Sequence, residues 1–181
     1  TIEQVGDPVN GNAFFTIEFS EAIDPGTFAT GDLTIGGSAS GKTIEDLSTS
    51  DNITWTLEVS TTGDGTVTAS LAASLTADPS GNTSAASTSA DNTVTVDKTV
   101  PSVTVEEVTD PTNGNAFFTI EFSEAIDPLS FDNSDLTIGG TAAGKTIEDL
   151  STSDNITWTL EVSTTGDGTV TASIAANRVQ D

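Results

Sequence analysis

The side chains in this sequence best equipped for chemistry are carboxylates and carboxamides. Asp and Glu number 28 among 181 residues, Lys and Arg only four, and there is no His, Cys, Met or Tyr; the formal net charge is −24. This inventory excludes more than it allows. Nucleophile–histidine–acid triads and thiolate or imidazole zinc sites need residues the chain lacks. A polyanion repels phosphate backbones and anionic membrane faces, so neither nucleic acid nor a membrane surface is an expected partner. Paired acids such as Glu18 and Glu58 have glycosidase chemistry in principle. Both fall on strand positions that face solvent, where no apolar pocket would raise a pKa, so no enzymatic activity is expected. What the set does suit is a hard cation, above all Ca2+, which takes roughly six to eight oxygens at about 2.3–2.6 Å.

Those oxygens are concentrated in short polar segments: Asp7, Asn10 and Asn12 in Asp7-Pro-Val-Asn-Gly-Asn, Asp64 between two glycines, Asp97 in Asp97-Lys-Thr-Val-Pro, and Glu124 with Asp127 in Ser123-Glu-Ala-Ile-Asp-Pro. The same residues are ordinary turn formers, since Asp and Asn bond to their own backbone two residues on. Acidic loops also keep a long protein soluble and fit a high-salt habitat. Which role each plays depends on the elements that place them.

Those elements come in two copies. Gly41 to Ser70 returns letter for letter as Gly144 to Ser173, an offset of 103 residues, and 62 of the 78 positions in 1–78 match their counterparts in 104–181. A repeat of that period is the size of one folding domain, too long for a solenoid unit. Residues 1–97 are read as the first domain and 98–181 as the second.

Within each copy the apolar residues alternate. Phe15, Ile17 and Phe19 interleave with Thr16, Glu18 and Ser20; Ile53, Trp55, Leu57 and Val59 with Thr54, Thr56 and Glu58; Val67, Ala69 and Leu71 follow, then Val94 and Val96. A period of two is the strand signature. Leu33 and Ile35 make a short strand closed by Gly36-Gly37, and Lys42 to Ser50 reads either as a short strand or as a packed loop. Ser20 to Phe28 reads as a long connection with one apolar anchor, Phe28. About seven strands per copy, turn signals at regular spacing and no helical periodicity predict all-β architecture: two tandem immunoglobulin-like antiparallel β-sandwiches. The expected core is Phe15, Ile17, Phe19, Leu33, Ile35, Ile53, Trp55, Leu57, Val67, Leu71, Val94 and Val96. Phe14 and Phe117 point away from it. No Cys is available for a disulfide, and no apolar run approaches the roughly 20 residues of a membrane span. Thr1 falls inside a strand pattern and Asp181 aligns with Asp78, so the first strand reads as truncated and the second copy as lacking its last strand. The expectation is a fragment of a longer protein, or a second domain whose strand comes from another chain.

Alternating strand directions place the loops. Glu21–Asp24 and Asp78–Asn82 fall at one pole of a copy; Asp7–Asn12, Thr61–Gly65 and Asp97 fall at the other. The expected cation site at the repeat junction is therefore Asp7, Asn10, Asn12, Asp64 and Asp97, with Glu124 and Asp127 from the next copy.

The segments Asp97-Lys-Thr-Val-Pro-Ser-Val-Thr-Val, Phe117-Phe-Thr-Ile-Glu-Phe-Ser-Glu-Ala-Ile, Asp135-Leu-Thr-Ile and Asp78-Pro-Ser-Gly-Asn resemble the bacterial Ig-like extender repeats of large biofilm-associated and RTX-type surface adhesins. The resemblance spans the chain. It implies an extracellular β-sandwich at the bacterial cell surface, repeated many times, whose partners are neighbouring repeats of the same chain and which projects a distal binding domain. It also implies structural Ca2+ near domain junctions. Two other readings stay open: a carbohydrate- or ice-binding module using outward Thr54, Thr56, Thr66 and Thr68, and a filament subunit that accepts a strand from a neighbour.

Overall fold

The computed structural model describes residues 1–110 and 112–181. The chain divides into two compact units, Thr1–Thr99 and Val100–Asp181.

Unit 1 has seven strands: β1 (Ile2–Gln4), β2 (Ala13–Glu18), β3 (Leu33–Gly36), β4 (Thr43–Thr49), β5 (Thr54–Ser60), β6 (Gly65–Leu71) and β7 (Thr93–Val96). They form two antiparallel sheets, ordered β1-β2-β5-β4 and β3-β6-β7. Four strands against three in that order is the constant-type immunoglobulin sandwich. The alternation explains the pairing. Phe15 lies opposite Leu57 and Ile17 opposite Trp55, so both strands bury the same parity. From the other sheet come Leu33, Val67, Ala69, Leu71, Val94 and Val96, which share one core with them. Each large side chain so buried contributes roughly 1.5–3 kcal/mol.

One point the sequence left open and two departures from its reading have local causes. The ambiguous stretch after Lys42 is a true strand, β4, with Ile44 and Leu47 both packed on the core. A bulge between Ile44 and Asp46 lets one extra residue in, so two inward side chains sit three apart and the period of two is hidden. Ile53 is exposed, not core. It belongs to a turn in which Asn52 has φ 61° and the Asp51 carboxylate accepts from the Ile53 and Thr54 amides, so β5 starts one residue later. The long connection after β2 has two anchors, Ile23 as well as Phe28, both buried. Phe19 and Ile35 are partly buried and pack on the core's edge. Phe14 and Phe117 do face outward.

Unit 2 repeats the first six strands: β8 (Val103–Glu107), β9 (Ala116–Phe122), β10 (Leu136–Gly139), β11 (Thr146–Thr152), β12 (Thr157–Ser163) and β13 (Thr171–Ile174). The sheets are β8-β9-β12-β11 and β10-β13. Among the described residues β7 has no counterpart here. The four-stranded sheet keeps its core, with Phe118, Ile120, Phe122, Trp158, Leu160 and Val162 buried.

Candidate functional site

The turns that carry the acidic residues gather as the strand directions require. At one pole of unit 1 the Asp24 amide donates to the Ala77 carbonyl (2.8 Å) and the Ala77 amide to Thr27 Oγ1 (3.0 Å). The Asp78-Pro-Ser-Gly-Asn turn there is self-contained: Asp78 Oδ1 accepts from the Ser80 and Asn82 amides, both at 2.8 Å.

At the opposite pole, three of the expected ligands converge on residues 95–99. Asp7 Oδ1 accepts from the Thr95 amide. Val9 then forms a parallel bridge with Val96, donating to the Thr95 carbonyl and accepting from the Asp97 amide, each at 2.9 Å. Asp64 Oδ1 accepts from the Lys98 amide (2.7 Å), and its Oδ2 from the Thr99 hydroxyl. Asp97 Oδ1 accepts from the Thr99 amide (3.0 Å). Lys98 Nζ donates to the Thr61 carbonyl (2.7 Å). The tip of the β5–β6 turn is thereby laced to the strand that leaves unit 1.

Within unit 1, Asn10 and Asn12 take no part in this lacing; Glu124 and Asp127 belong to unit 2. Asn10 is exposed in its turn. Asn12 donates from Nδ2 to Glu58 Oε1 (2.6 Å), because it precedes β2 on the outer face beside β5; Asn115 and Glu161 repeat that bond in unit 2. Glu124 is half-buried just past β9. Asp127 is exposed and turns the chain, accepting from the Leu129 amide at Oδ1 (2.9 Å). Sequence reasoning placed the carboxylates but missed Lys98 and Thr99 as their partners. The available signal was an Asp held in a tight turn between glycines, opposite a strand end.

The chemistry of this cluster is that of hydrogen-bonded anions. The Thr99 hydroxyl, the Lys98 amide and the Lys98 charge together hold the Asp64 carboxyl below its ordinary value. Because the folded pKa is depressed, the stabilisation is present above the unfolded pKa of about 3.9 and is lost as pH falls through the lower folded value. Asp64→Asn is therefore expected to lower the melting temperature at pH 7 by a few degrees at most. The gap to the parent should hold down to about pH 4 and close below it. A pH series of paired melting curves checks this; a gap that widens on acidification contradicts it.

All donors here are hard oxygens, the ligand type Ca2+ accepts. Asp64 already uses both carboxylate oxygens on protein donors, and Asp7 and Asp97 one each.

The outward threonines divide between two surfaces. Thr54 and Thr56 lie on the four-stranded sheet, where Thr16 pairs with Thr56 and Glu18 with Thr54. Thr66 and Thr68 lie on the three-stranded sheet opposite Thr95 and Thr93. They form no single array.

The chain matches no protein-family model, no curated protein and no solved structure.

Proposed function

We infer that this chain is a pair of structural extender repeats of a secreted bacterial cell-surface adhesin, stiffened by Ca2+ at the repeat boundary. One observation carries the reading. A block of 30 residues recurs unchanged, and the two copies share the order of their first six strands. Near-identical duplication of whole domains suits a part whose job is length. The acidic surface fits that job, because like charge opposes sticking between parallel fibres. The lacing of Asp7, Asp64 and Asp97 onto residues 95–99 supports it too, since it ties down the segment through which a pull on the chain would pass.

The spacer role is tested by small-angle scattering on concatemers of the 103-residue repeat. Maximum dimension should grow in proportion to repeat number; a dimension that plateaus would sink the reading. The calcium component has a separate test. Extracellular modules hold Ca2+ at about 0.1–1 mM, so at roughly 10 mM the melting temperature should rise by about 5–10 °C and EGTA should reverse it. A transition unmoved by either removes calcium from the proposal and leaves the spacer standing.

A further inference from the structure

We propose that Asn10-Gly11 is a site of spontaneous covalent modification, where the asparagine becomes aspartate or isoaspartate with loss of ammonia, and that Thr112 holds back the same reaction at Asn113-Gly114. The two copies supply the comparison. They share Asn-Gly-Asn and differ at the residue just before it, Val9 against Thr112.

The chemistry needs a backbone amide within reach of a side-chain carboxamide. The nitrogen of the following residue, losing its proton, attacks the asparagine Cγ. The new C–N bond closes a succinimide ring, and the carboxamide nitrogen leaves as ammonia. Water then opens the ring at either carbonyl. One opening gives aspartate; the other gives isoaspartate, in which the main chain runs through Cβ. Glycine suits the second position, because it has no Cβ to block the approach and the widest backbone freedom. Of the ten asparagines in the sequence, Asn10 and Asn113 are the two that precede glycine.

The fold leaves the first of these open. Asn10 and Gly11 are both exposed in the turn between β1 and β2, and a Cβ on Gly11 would meet nothing within 4 Å. Among the described residues, neither the Asn10 carboxamide nor the Gly11 amide has a hydrogen-bond partner. In unit 2 the Gly114 amide donates to Thr112 Oγ1 (3.2 Å), so the attacking nitrogen is engaged. Valine offers no such acceptor in unit 1. Other asparagines are closed in the same manner. The Ile53, Ile156 and Ser134 amides, which follow Asn52, Asn155 and Asn133, donate to Asp51, Asp154 and Asp132 at 2.9, 3.0 and 2.7 Å.

The site adjoins the lacing of unit 1. Val9, the neighbour of Asn10, donates to the Thr95 carbonyl and accepts from the Asp97 amide, each at 2.9 Å. Either product adds a carboxylate there, and isoaspartate also lengthens the main chain by one methylene beside that bridge. This inference stands independently of the spacer role.

The test is to age the folded 181-residue chain in mildly alkaline buffer and follow each asparagine by tandem mass spectrometry, scoring aspartate and isoaspartate separately. Asn10 should convert first. Asn113 should convert about two- to tenfold more slowly, the factor that one hydrogen bond is worth, and the other eight should stay intact over the same interval. Thr112→Val should bring Asn113 up to the rate of Asn10. Gly11→Ala, which the open space around that residue tolerates, should leave Asn10 unconverted. Conversion of Asn10 no faster than that of Asn12, or equal rates at Asn10 and Asn113 in the parent chain, overturns the proposal.

Discussion

Replacing Phe28 by alanine is expected to destabilise residues 1–99 by roughly 3–5 kcal/mol. Phe28 lies in the connection between β2 and β3 yet is 5% exposed. Its ring meets Phe19 at 5.4 Å and Trp55 at 5.0 Å between centroids, both nearly perpendicular. Such edge-to-face pairs add about 0.5–1.5 kcal/mol each beyond the area they bury. The contact covers the Trp55 ring, itself 5% exposed. Truncation would leave a cavity between a loop and the sheet, and would free the loop from one of its two buried anchors. A domain of this size has about 5–15 kcal/mol in total, so the loss is a large part of it. Urea titration followed by tryptophan fluorescence measures the change. Leu129→Ala is the control: that leucine is 94% exposed, and its loss should stay within about 0.5 kcal/mol. A Phe28→Ala loss below about 1 kcal/mol would show that the aromatic chain decorates the core without holding it.

The arrangement of Phe28, Phe19 and Trp55 also shows how far sequence carries. Strand parity was legible wherever the ladder is regular, because one buried face demands a period of two; Phe15, Ile17, Trp55 and Leu57 all follow it. It failed where backbone geometry breaks the count. The bulge at Ile44 and Asp46 disguised β4, and the left-handed Asn52 turned Ile53 outward. Ile23 was missed because no neighbour in sequence shares its orientation. The poles were legible from strand direction alone, and Asp7, Asp64 and Asp97 do meet on one short segment. The partners of the carboxylates were not legible. Asn12 and Glu58 are 46 residues apart, and only the pairing of β2 with β5 sets them side by side. Spacing in the sequence thus gives the type of ligand atom, while the ladder register decides which of them are already engaged.

Gly37→Ala and Gly140→Ala are the same substitution in the same local sequence, and they are expected to differ. Gly37 has φ 94° and Gly140 φ 95°, conformations in which any side chain is strained, at about 1–3 kcal/mol. Built on either glycine, a Cβ meets backbone, not a yielding side chain: the Thr66 carbonyl in unit 1 and the Thr169 carbonyl in unit 2. In unit 1 that carbonyl cannot retreat. It accepts from the Ala39 amide at 2.9 Å, and Thr66 is paired with Thr95 of β7 on its far side. In unit 2 the Ala142 amide donates to the Thr169 carbonyl at 3.0 Å, but among the described residues no strand pairs with Thr169 on its far side. Gly37→Ala should therefore combine the φ strain with an overpacking cost of about 1–3 kcal/mol, for a total of roughly 3 kcal/mol or more, whereas Gly140→Ala should stay near the φ strain alone. Gly81→Ala separates the two effects within one unit, because its φ is 87° and its Cβ would meet nothing within 4 Å. Unfolding free energies for the three variants give the comparison. Equal losses at Gly37 and Gly140 would mean that β7 adds no rigidity to β6; a larger loss at Gly37 would locate the stiffness of the three-stranded sheet in its last strand.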